Sequence, residues 1–156
     1  MKLDVTDRKI LKLLQQDGRL SNAEIAEQVA LSPSPCLRRL RRLEQEGIIE
    51  GYQTQLNRQK IDLGMTVFVQ IKMHDHHAAS VKNFEQAIHG MDAVITASTV
   101  SGSADYLLEV VASDLEDYDR VVSKLQELKM VREIESNFAL RRVKTAAPLP
   151  LKRLSD

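Results

Sequence analysis

Apolar residues in the first third of the chain recur at helical spacing and predict three short helices. The first has its apolar stripe between Ile10 and Leu14. Its N-cap is expected at Thr6, followed by the negative charge of Asp7 in the first turn, and Gly18 indicates its end. This segment is therefore predicted to be an amphipathic helix with one buried face.

The second and third predicted helices follow each other closely. The second begins with Ser21-Asn22-Ala23-Glu24, a capping box in which the hydroxyl and the carboxylate each bind a backbone N–H at the helix start. The third begins at Ser32-Pro33, an N-cap with proline in the first helical position, and extends to about Gln45. Two capped helices joined by a tight turn are typical of a helix-turn-helix.

On a helical wheel the third helix has an apolar side and a basic side. The apolar side carries Cys36, Leu37, Leu40 and Leu43, and the opposite side carries Ser34, Arg38, Arg39, Arg41 and Arg42. A merely solvated helix usually mixes charges of both signs, whereas Ser32 to Leu43 contains four arginines and no acid. The pattern predicts a DNA-binding recognition helix, in which Cys36 is a small buried hydrophobe and not a nucleophile.

The pattern then changes to alternation and predicts a second domain of another class. Met65 to Met73 alternates as a strand with one buried face. A helix carrying Val81, Phe84 and Ile88 follows, and a later one opens with an expected capping box at Ser113-Asp114-Leu115-Glu116. Further strands are expected at residues 93–100, 106–112 and 131–143, with Ile134, Phe138 and Leu140 on one face of the last. The order β-α-β-β-α-β predicts a ferredoxin-like unit.

The predicted fold class is therefore α+β, in two domains. Residues 1–56 form a helix-turn-helix, winged-helix-like domain, in which residues 48–55 are extended, and residues 57–64 are a linker. Residues 65–144 form the ferredoxin-like domain, which is expected to associate through its sheet, and residues 145–156 are a tail.

Composition narrows the class of protein. The 156 residues are 43% hydrophobic and 28% charged, which excludes a largely disordered chain. No apolar run reaches the roughly 18 residues of a membrane helix, and the polar start does not suggest a signal peptide. A single cysteine cannot form an internal disulfide. We expect a cytoplasmic protein without membrane association.

Two motifs resemble the Lrp/AsnC, or feast/famine, family of transcription regulators. The first is Leu31–Glu44 (LSPSPCLRRLRRLE), followed by Gly47-Ile48-Ile49, and the second is Val100–Leu108 (VSGSADYLL). The resemblance extends from Leu3 to about Lys144 and implies a prokaryotic regulator whose recognition helix begins at Ser32-Pro33. It also implies a homodimer, often assembled to a homo-octamer, that binds a small effector, usually an amino acid. The implied effector site lies near the turn Ser101–Tyr106, which we call the glycine turn.

These patterns give two sets of candidate residues. Ser34, Arg38 and Arg42 are expected to face the major groove of double-stranded DNA, and Arg41 and Ser32 to lie nearer the phosphates. The full DNA-binding set is Ser32, Ser34, Arg38, Arg39, Arg41 and Arg42. The effector-binding set that the resemblance implies is Ser101, Gly102, Ser103, Ala104, Asp105 and Tyr106.

The chemistry of the glycine turn independently supports an effector site there. Gly102 permits a positive φ and close approach of a ligand, and Asp105 offers a carboxylate to an α-ammonium group. Alternatively, the segment is a hairpin turn in which Asp105 bonds its own backbone. Family members often carry an acidic or aromatic residue where this chain has Ser103 and Ala104. The absence of charge there favours an apolar effector such as leucine or methionine.

Other readings of the chain are weaker. His74-Asp75-His76-His77 has metal-ligand chemistry, but four adjacent residues rarely converge on one ion, so an exposed loop is expected. No nucleophile–base pair, phosphate loop or metal spacing suggests an enzyme, and no cofactor is expected. The alternative function is a small-molecule-binding metabolic protein whose helical third serves only for dimerisation.

Overall fold

The computed structural model describes residues 3–145 and 147–151, which fold as two compact units. The first contains the N-terminal residues up to Gln55 together with the tail from Lys144, and the second is Leu56–Val143. The first is helical and the second combines a sheet with helices, which confirms the predicted α+β class. The described chain contains no helix that is both long enough and apolar enough to cross a membrane.

Three helices form the first unit: α1 (Val5–Gln16), α2 (Asn22–Gln28) and α3 (Pro33–Gln45). Their apolar sides meet in one core, whose fully buried members include Ile10, Ile25 and Leu43. Cys36 is also fully buried in this core, and burial raises the pKa of its thiol. The expected packing role of Cys36 is thus confirmed. Residues 46–57, part of which was expected to be extended, form a turn and irregular backbone.

The helix starts show one prediction confirmed and one wrong. Ser21 caps α2 as expected, because its hydroxyl accepts from the Glu24 N–H while the Glu24 carboxylate accepts from the Ser21 N–H. The N-cap of α1 is Asp4 and not Thr6. The Asp4 carboxylate accepts from the Asp7 N–H at 2.8 Å, and the Asp7 carboxylate accepts from the Asp4 N–H at 3.2 Å. This reciprocal pair sets the helix start two residues earlier than expected.

The second unit has the ferredoxin-like arrangement that was predicted. Its elements in chain order are a 3-10 helix (Arg58–Ile61), β1 (Met65–Met73), α4 (Ala78–His89), β2 (Val94–Thr99), β3 (Tyr106–Ala112), α5 (Leu115–Gln126) and β4 (Val131–Phe138). The sheet order is β2-β3-β1-β4, with every neighbouring pair antiparallel. The 3-10 helix lies in the segment that was expected to be a linker.

The two faces of the sheet differ in what covers them. Val69 lies opposite Leu108 and Ser136, on the face that packs against α4 and α5. Phe68 lies opposite Glu109 and Asn137, on the other face, which we call the open face. The core beneath the helices contains Val67, Val69, Ile71, Met73, Phe84, Ile88, Tyr106, Leu108, Val110, Ala112, Tyr118, Val121 and Leu125. Alternate residues of β1 therefore face the core beneath the helices, as the sequence pattern predicted.

Two details of this unit differ from expectation. The N-cap of α5 is Asp114 and not Ser113, because the Asp114 carboxylate accepts from the Asp117 N–H at 2.8 Å. Strand β4 ends at Phe138, and Leu140 is 96% exposed instead of sharing the buried face. The Ala139 N–H donates to the Thr66 carbonyl at 2.9 Å, and beyond this hydrogen bond the chain leaves the sheet.

The tail packs against α1 within the first unit. The side-chain amide of Gln15 makes two hydrogen bonds with the backbone of Leu149. Its oxygen accepts from the Leu149 N–H, and its nitrogen donates to the Leu149 carbonyl. Leu151 contacts the core of the helical unit. A mostly apolar cleft of about 460 Å³ lies between α1 and residues 148–151. The tail is therefore a packed part of the helical unit as far as Leu151.

Candidate functional site

Helix α3 presents four of its six predicted DNA-binding residues to solvent. Ser32, Ser34, Arg38 and Arg41 are exposed, whereas Arg39 and Arg42 are partly buried. Proline at the first position and the buried Cys36 and Leu43 fix which side of the helix faces outward. The exposed side thus carries two hydroxyls and two guanidinium groups.

The two partly buried arginines are held by acids of α1. Asp7 is fully buried, and its two carboxylate oxygens lie 2.8 Å from Arg39 Nη1 and 2.6 Å from Arg42 Nη2. Arg39 also contacts the Asp4 carboxylate at 2.5 Å. Arg42 was expected to face the major groove, but in the structure it is turned toward Asp7. The helical wheel missed this because the acids come from another helix.

These contacts also stabilise the charges themselves. The pKa of Asp4 is lowered, chiefly by the hydrogen bond from the Asp7 N–H and further by Arg39. The pKa of Arg39 is raised by its hydrogen bonds to Asp4 and Asp7. The cluster of Asp4, Asp7, Arg39 and Arg42 is therefore a set of paired charges that joins α1 to α3, and we call it the acid–arginine cluster. Among the residues that the structure describes, Arg38 and Arg41 are the arginines of α3 without an acidic partner.

The second candidate site is the turn between β2 and β3. Gly102 has a φ of +116°, as its position in the turn predicted, and a Cβ placed there would meet no atom within 4 Å among the described residues. Ser101 and Ser103 are exposed. The Asp105 carbonyl accepts from the Val100 N–H at 3.0 Å and closes the turn. The backbone of this turn is open to an approaching ligand.

Asp105 connects the turn to the end of β1. One carboxylate oxygen accepts from the Met73 N–H at 2.7 Å, and the other lies 2.8 Å from His76 Nε2. The pKa of Asp105 is lowered, first by the Met73 N–H and then by His76. The carboxylate bonds the backbone of the neighbouring strand, which differs from bonding within its own turn. The His76 side chain is 69% exposed, so a competing cation has access to the second oxygen.

Tyr106, the last residue of the predicted effector set, points toward the helices. It is buried, its ring centroid lies 4.6 Å from that of Phe84, and its hydroxyl donates to Glu85 at 3.1 Å. Its side chain therefore supports the turn from the core side. The partly buried Ala104 lies between the exposed turn and Asp105.

His76 is the residue of this site that the sequence did not assign to it. The histidine cluster was expected to be an exposed loop, with a metal site as the weaker alternative, and in the part of the chain that the structure describes no three His, Cys, Asp or Glu side chains are placed to hold an ion. The pairing of β1 with β3 carried the missing signal. Because Ile71 lies opposite Tyr106, the residues just after β1 come next to the glycine turn.

The two units match two protein-family models. Residues 3–50 match the winged helix-turn-helix DNA-binding model, and residues 66–149 match the Lrp/AsnC ligand binding domain. The glutamate uptake regulatory protein of Zymomonas mobilis is 38% identical over 155 residues, which cover 99% of this chain and 94% of that protein. The leucine-responsive regulatory protein of Escherichia coli is 36% identical over 151 residues, with coverages of 96% and 92%.

A solved structure agrees over nearly the full length. A transcriptional regulator from Neisseria meningitidis, in complex with L-Met, has a TM-score of 0.93 and 36% sequence identity, and the match covers 98% of this chain and 99% of that one. The winged helix-turn-helix and the ferredoxin-like unit thus occur here in the same combination as in these regulators. The chain therefore belongs to the Lrp/AsnC family of DNA-binding transcription regulators.

Proposed function

We propose that this regulator binds double-stranded DNA as an even-numbered oligomer and responds to an apolar amino acid. The observation that carries the DNA-binding part is that the arginines of α3 fall into two groups, one paired with acids and one exposed. Arg39 and Arg42 are paired with Asp4 and Asp7, while Arg38 and Arg41 are exposed. Such a helix has a fixed orientation and a positively charged outer side.

Ser34 and Arg38 are proposed to contact base edges, and Ser32 and Arg41 to contact phosphates. A guanidinium can donate two parallel hydrogen bonds to guanine, whereas a phosphate contact positions the helix without reading sequence. Arg39 and Arg42 are assigned to orient α3 from within the protein. This assignment replaces the expectation that Arg42 reads bases.

The DNA experiment uses duplexes that the wild-type protein selects from a random pool. Arg38→Ala should lose discrimination against a mismatched base, worth roughly 1–3 kcal/mol, and so flatten the sequence preference. Arg41→Ala should weaken all sequences alike and reduce the salt slope by about 1. Arg120→Ala, an exposed arginine on α5, is the control. Unchanged selectivity in Arg38→Ala would remove this residue from the base-reading surface.

The effector is proposed to bind at Ser101 to Tyr106, with its α-ammonium on Asp105. Three observations support this: the open backbone at Gly102, the exposed imidazole on Asp105, and the uncharged Ser103 and Ala104. The Neisseria relative was solved in complex with L-Met, and the Escherichia coli relative is named leucine-responsive. We therefore propose leucine or methionine as the effector.

The effector experiment is a thermal-shift screen of the twenty amino acids, followed by calorimetry with the best one. A ligand that binds the native state raises its apparent stability. Asp105→Ala should abolish this response and leave DNA binding by the unliganded protein intact. Asp105→Asn, which keeps an oxygen for the Met73 N–H, separates loss of charge from disruption of the turn. Unchanged ligand affinity in both variants would place the pocket elsewhere.

Assembly is proposed to begin with a homodimer and to continue to a homo-octamer. The open face of the sheet carries the half-exposed side chains of Phe68 and Leu107, which a second copy would cover. Dimers suit DNA recognition because two recognition helices contact half-sites about one helical turn apart. A ligand that binds the assembled states differently then shifts assembly and DNA binding together.

A further inference from the structure

Glu109 collects two arginines on the open face of the sheet. It lies in β3, and its side chain is 19% exposed. Its Oε1 atom lies 2.9 Å from Arg58 Nη1 and 2.9 Å from Arg142 Nη2. Both guanidinium groups also lie 3.3 Å from the Thr66 hydroxyl. One carboxylate therefore accepts hydrogen bonds from two positive charges at a partly buried position.

The two arginines lie in the second unit, each two residues from a point where the chain passes between the units. The chain passes from the helical unit into the second unit at Leu56 and returns to the helical unit at Lys144. Arg58 follows the first crossing and Arg142 precedes the second. Glu109 thus bonds one arginine beside each crossing from a single position in the sheet.

Backbone contacts make each crossing a defined structure next to its arginine. Arg58 begins the 3-10 helix, which Asn57 caps by accepting from the Lys60 N–H, and the Arg58 carbonyl accepts from the Leu63 N–H at 2.8 Å. On the returning segment, the Ala139 N–H donates to the Thr66 carbonyl at 2.9 Å. The contact of each arginine with Glu109 therefore restrains a segment whose backbone is already ordered by hydrogen bonds.

We propose that Glu109 is a positioning residue that fastens the chain beside both crossings to β3, and that binding to two DNA half-sites depends on this fastening. Charge-assisted hydrogen bonds of this kind are among the stronger ones in proteins. Strand β3 begins at Tyr106, directly after Asp105 of the glycine turn, so a movement of the turn reaches both crossings through one strand. The DNA-related part of this inference rests on the proposed function.

Amide hydrogen exchange of the full-length protein tests the fastening without DNA or effector. In Glu109→Gln the amides of Lys60, Leu63 and Ala139 should exchange about tenfold faster, since a lost charged hydrogen bond is worth at least about that factor. Glu135→Gln is the matched control, because Glu135 lies on the same face and accepts from Asn137. Equal rates in Glu109→Gln and the wild type would overturn the proposal.

Arg142→Gln provides a milder variant in case Glu109→Gln folds poorly. It should accelerate exchange at Ala139 and leave Lys60 and Leu63 near their wild-type rates, because Arg58 keeps its carboxylate. Acceleration at all three amides, or at none of them, would contradict a fastening made of two separate arginine contacts.

The positioning role is tested with duplexes that carry two selected half-sites. Inserting about half a helical turn between them should weaken wild-type binding strongly, because the half-sites then face opposite sides of the DNA. In Glu109→Gln the ratio of the two affinities should fall toward one, while affinity for a single half-site stays within about twofold. An unchanged ratio together with faster exchange would overturn the positioning role. If the wild-type protein selects no DNA, the proposed function fails, and the exchange rates still decide the fastening.

Discussion

A buried carboxylate on α1 holds two of the four arginines of α3. Asp7 has no solvent exposure, and ion pairs at 2.8 and 2.6 Å compensate its charge. An uncompensated charge in such a site is costly, so Asp7 requires its arginines and holds them against α1, although both keep part of their side chains exposed. One acid on α1 thus holds two of the four arginines of α3.

Asp7→Asn should destabilise the helical unit by about 2–3 kcal/mol, because the buried hydrogen bonds lose their charge, Arg42 loses its carboxylate partner and Arg39 keeps only Asp4. Urea unfolding followed by circular dichroism measures this change. Glu27→Gln, an exposed acid on α2, is the control and should stay within about 0.5 kcal/mol of the wild type. A similar small effect of Asp7→Asn would show that the acid–arginine cluster contributes little to stability.

The lowered pKa of Asp105 predicts that the stability of the folded protein depends on pH in the acidic range. Its folded pKa lies below the ordinary value of 3.8, chiefly because of the Met73 N–H and then because of His76. A lowered folded pKa adds stability above the unfolded pKa, and that stability is lost as the pH falls through the folded pKa. Asp105→Asn should therefore show a shallower fall in the free energy of unfolding below about pH 4.

The same unfolding series separates the two partners of Asp105. His76→Ala should keep the larger part of the acid dependence, because the Met73 N–H is the main cause of the lowered pKa. An acid dependence that disappears in His76→Ala, or persists in Asp105→Asn, would contradict this assignment.

Helices and strands were predictable where a periodic pattern faced a core. The bounds of β1, β3 and α3 follow directly from alternation or from an apolar stripe. Starts and ends were less predictable, because Asp4 and Asp114 compete with neighbouring Thr6 and Ser113 for the same capping role. Strand β4 continued in the sequence pattern beyond Phe138, but hydrogen-bonding partners and not apolar residues determine where a strand ends.

The glycine turn and the basic side of α3 were predictable as structural features, but their contacts were not. The glycine turn and the basic side of α3 are local patterns, so the sequence located both. The partners of Arg42 and Asp105 are distant along the chain: Asp7 reaches Arg42 by helix packing, and His76 reaches Asp105 by strand pairing. Such contacts depend on tertiary structure, which a helical wheel or a local motif does not include.

Two serines in N-cap positions allow a matched test of helix capping. Ser21 accepts from the Glu24 N–H, whereas Ser32 makes no side-chain capping bond within the described structure. Ser21→Ala should destabilise the helical unit by about 1 kcal/mol, and Ser32→Ala should be nearly neutral. Thermal unfolding of both variants measures the difference. Equal losses would mean that the hydroxyl of Ser32 caps α3 in solution.

The molecule as a whole has one sheet face packed beneath helices and one open face. The open face holds the Arg58–Glu109–Arg142 contacts beside the half-exposed Phe68 and Leu107. Apolar side chains at the centre of such a face favour contact with a second copy, since covering them removes apolar area from water. The proposed dimer would bury them.

Sedimentation at micromolar concentration should show a dimer or a higher even oligomer of the 17.6 kDa chain. Phe68→Asp should shift this distribution strongly toward monomer, because it places a charge at the centre of the proposed contact. Leu115→Asp is the control: Leu115 is 63% exposed, at the start of α5. A monomeric wild type, or a Phe68→Asp variant that assembles normally, would exclude the open face as the contact.

The packing of the tail on α1 has a consequence for the order in which the protein matures on the ribosome. Residues 148–151 complete the surface of the helical unit, yet they are translated only after the entire sheet unit. The sheet unit, Leu56–Val143, is continuous in sequence and needs no later residue to close its core. We therefore expect the sheet unit to assemble from one continuous stretch of chain, whereas the helical unit acquires its last contacts only after residues 148–151 have been synthesised.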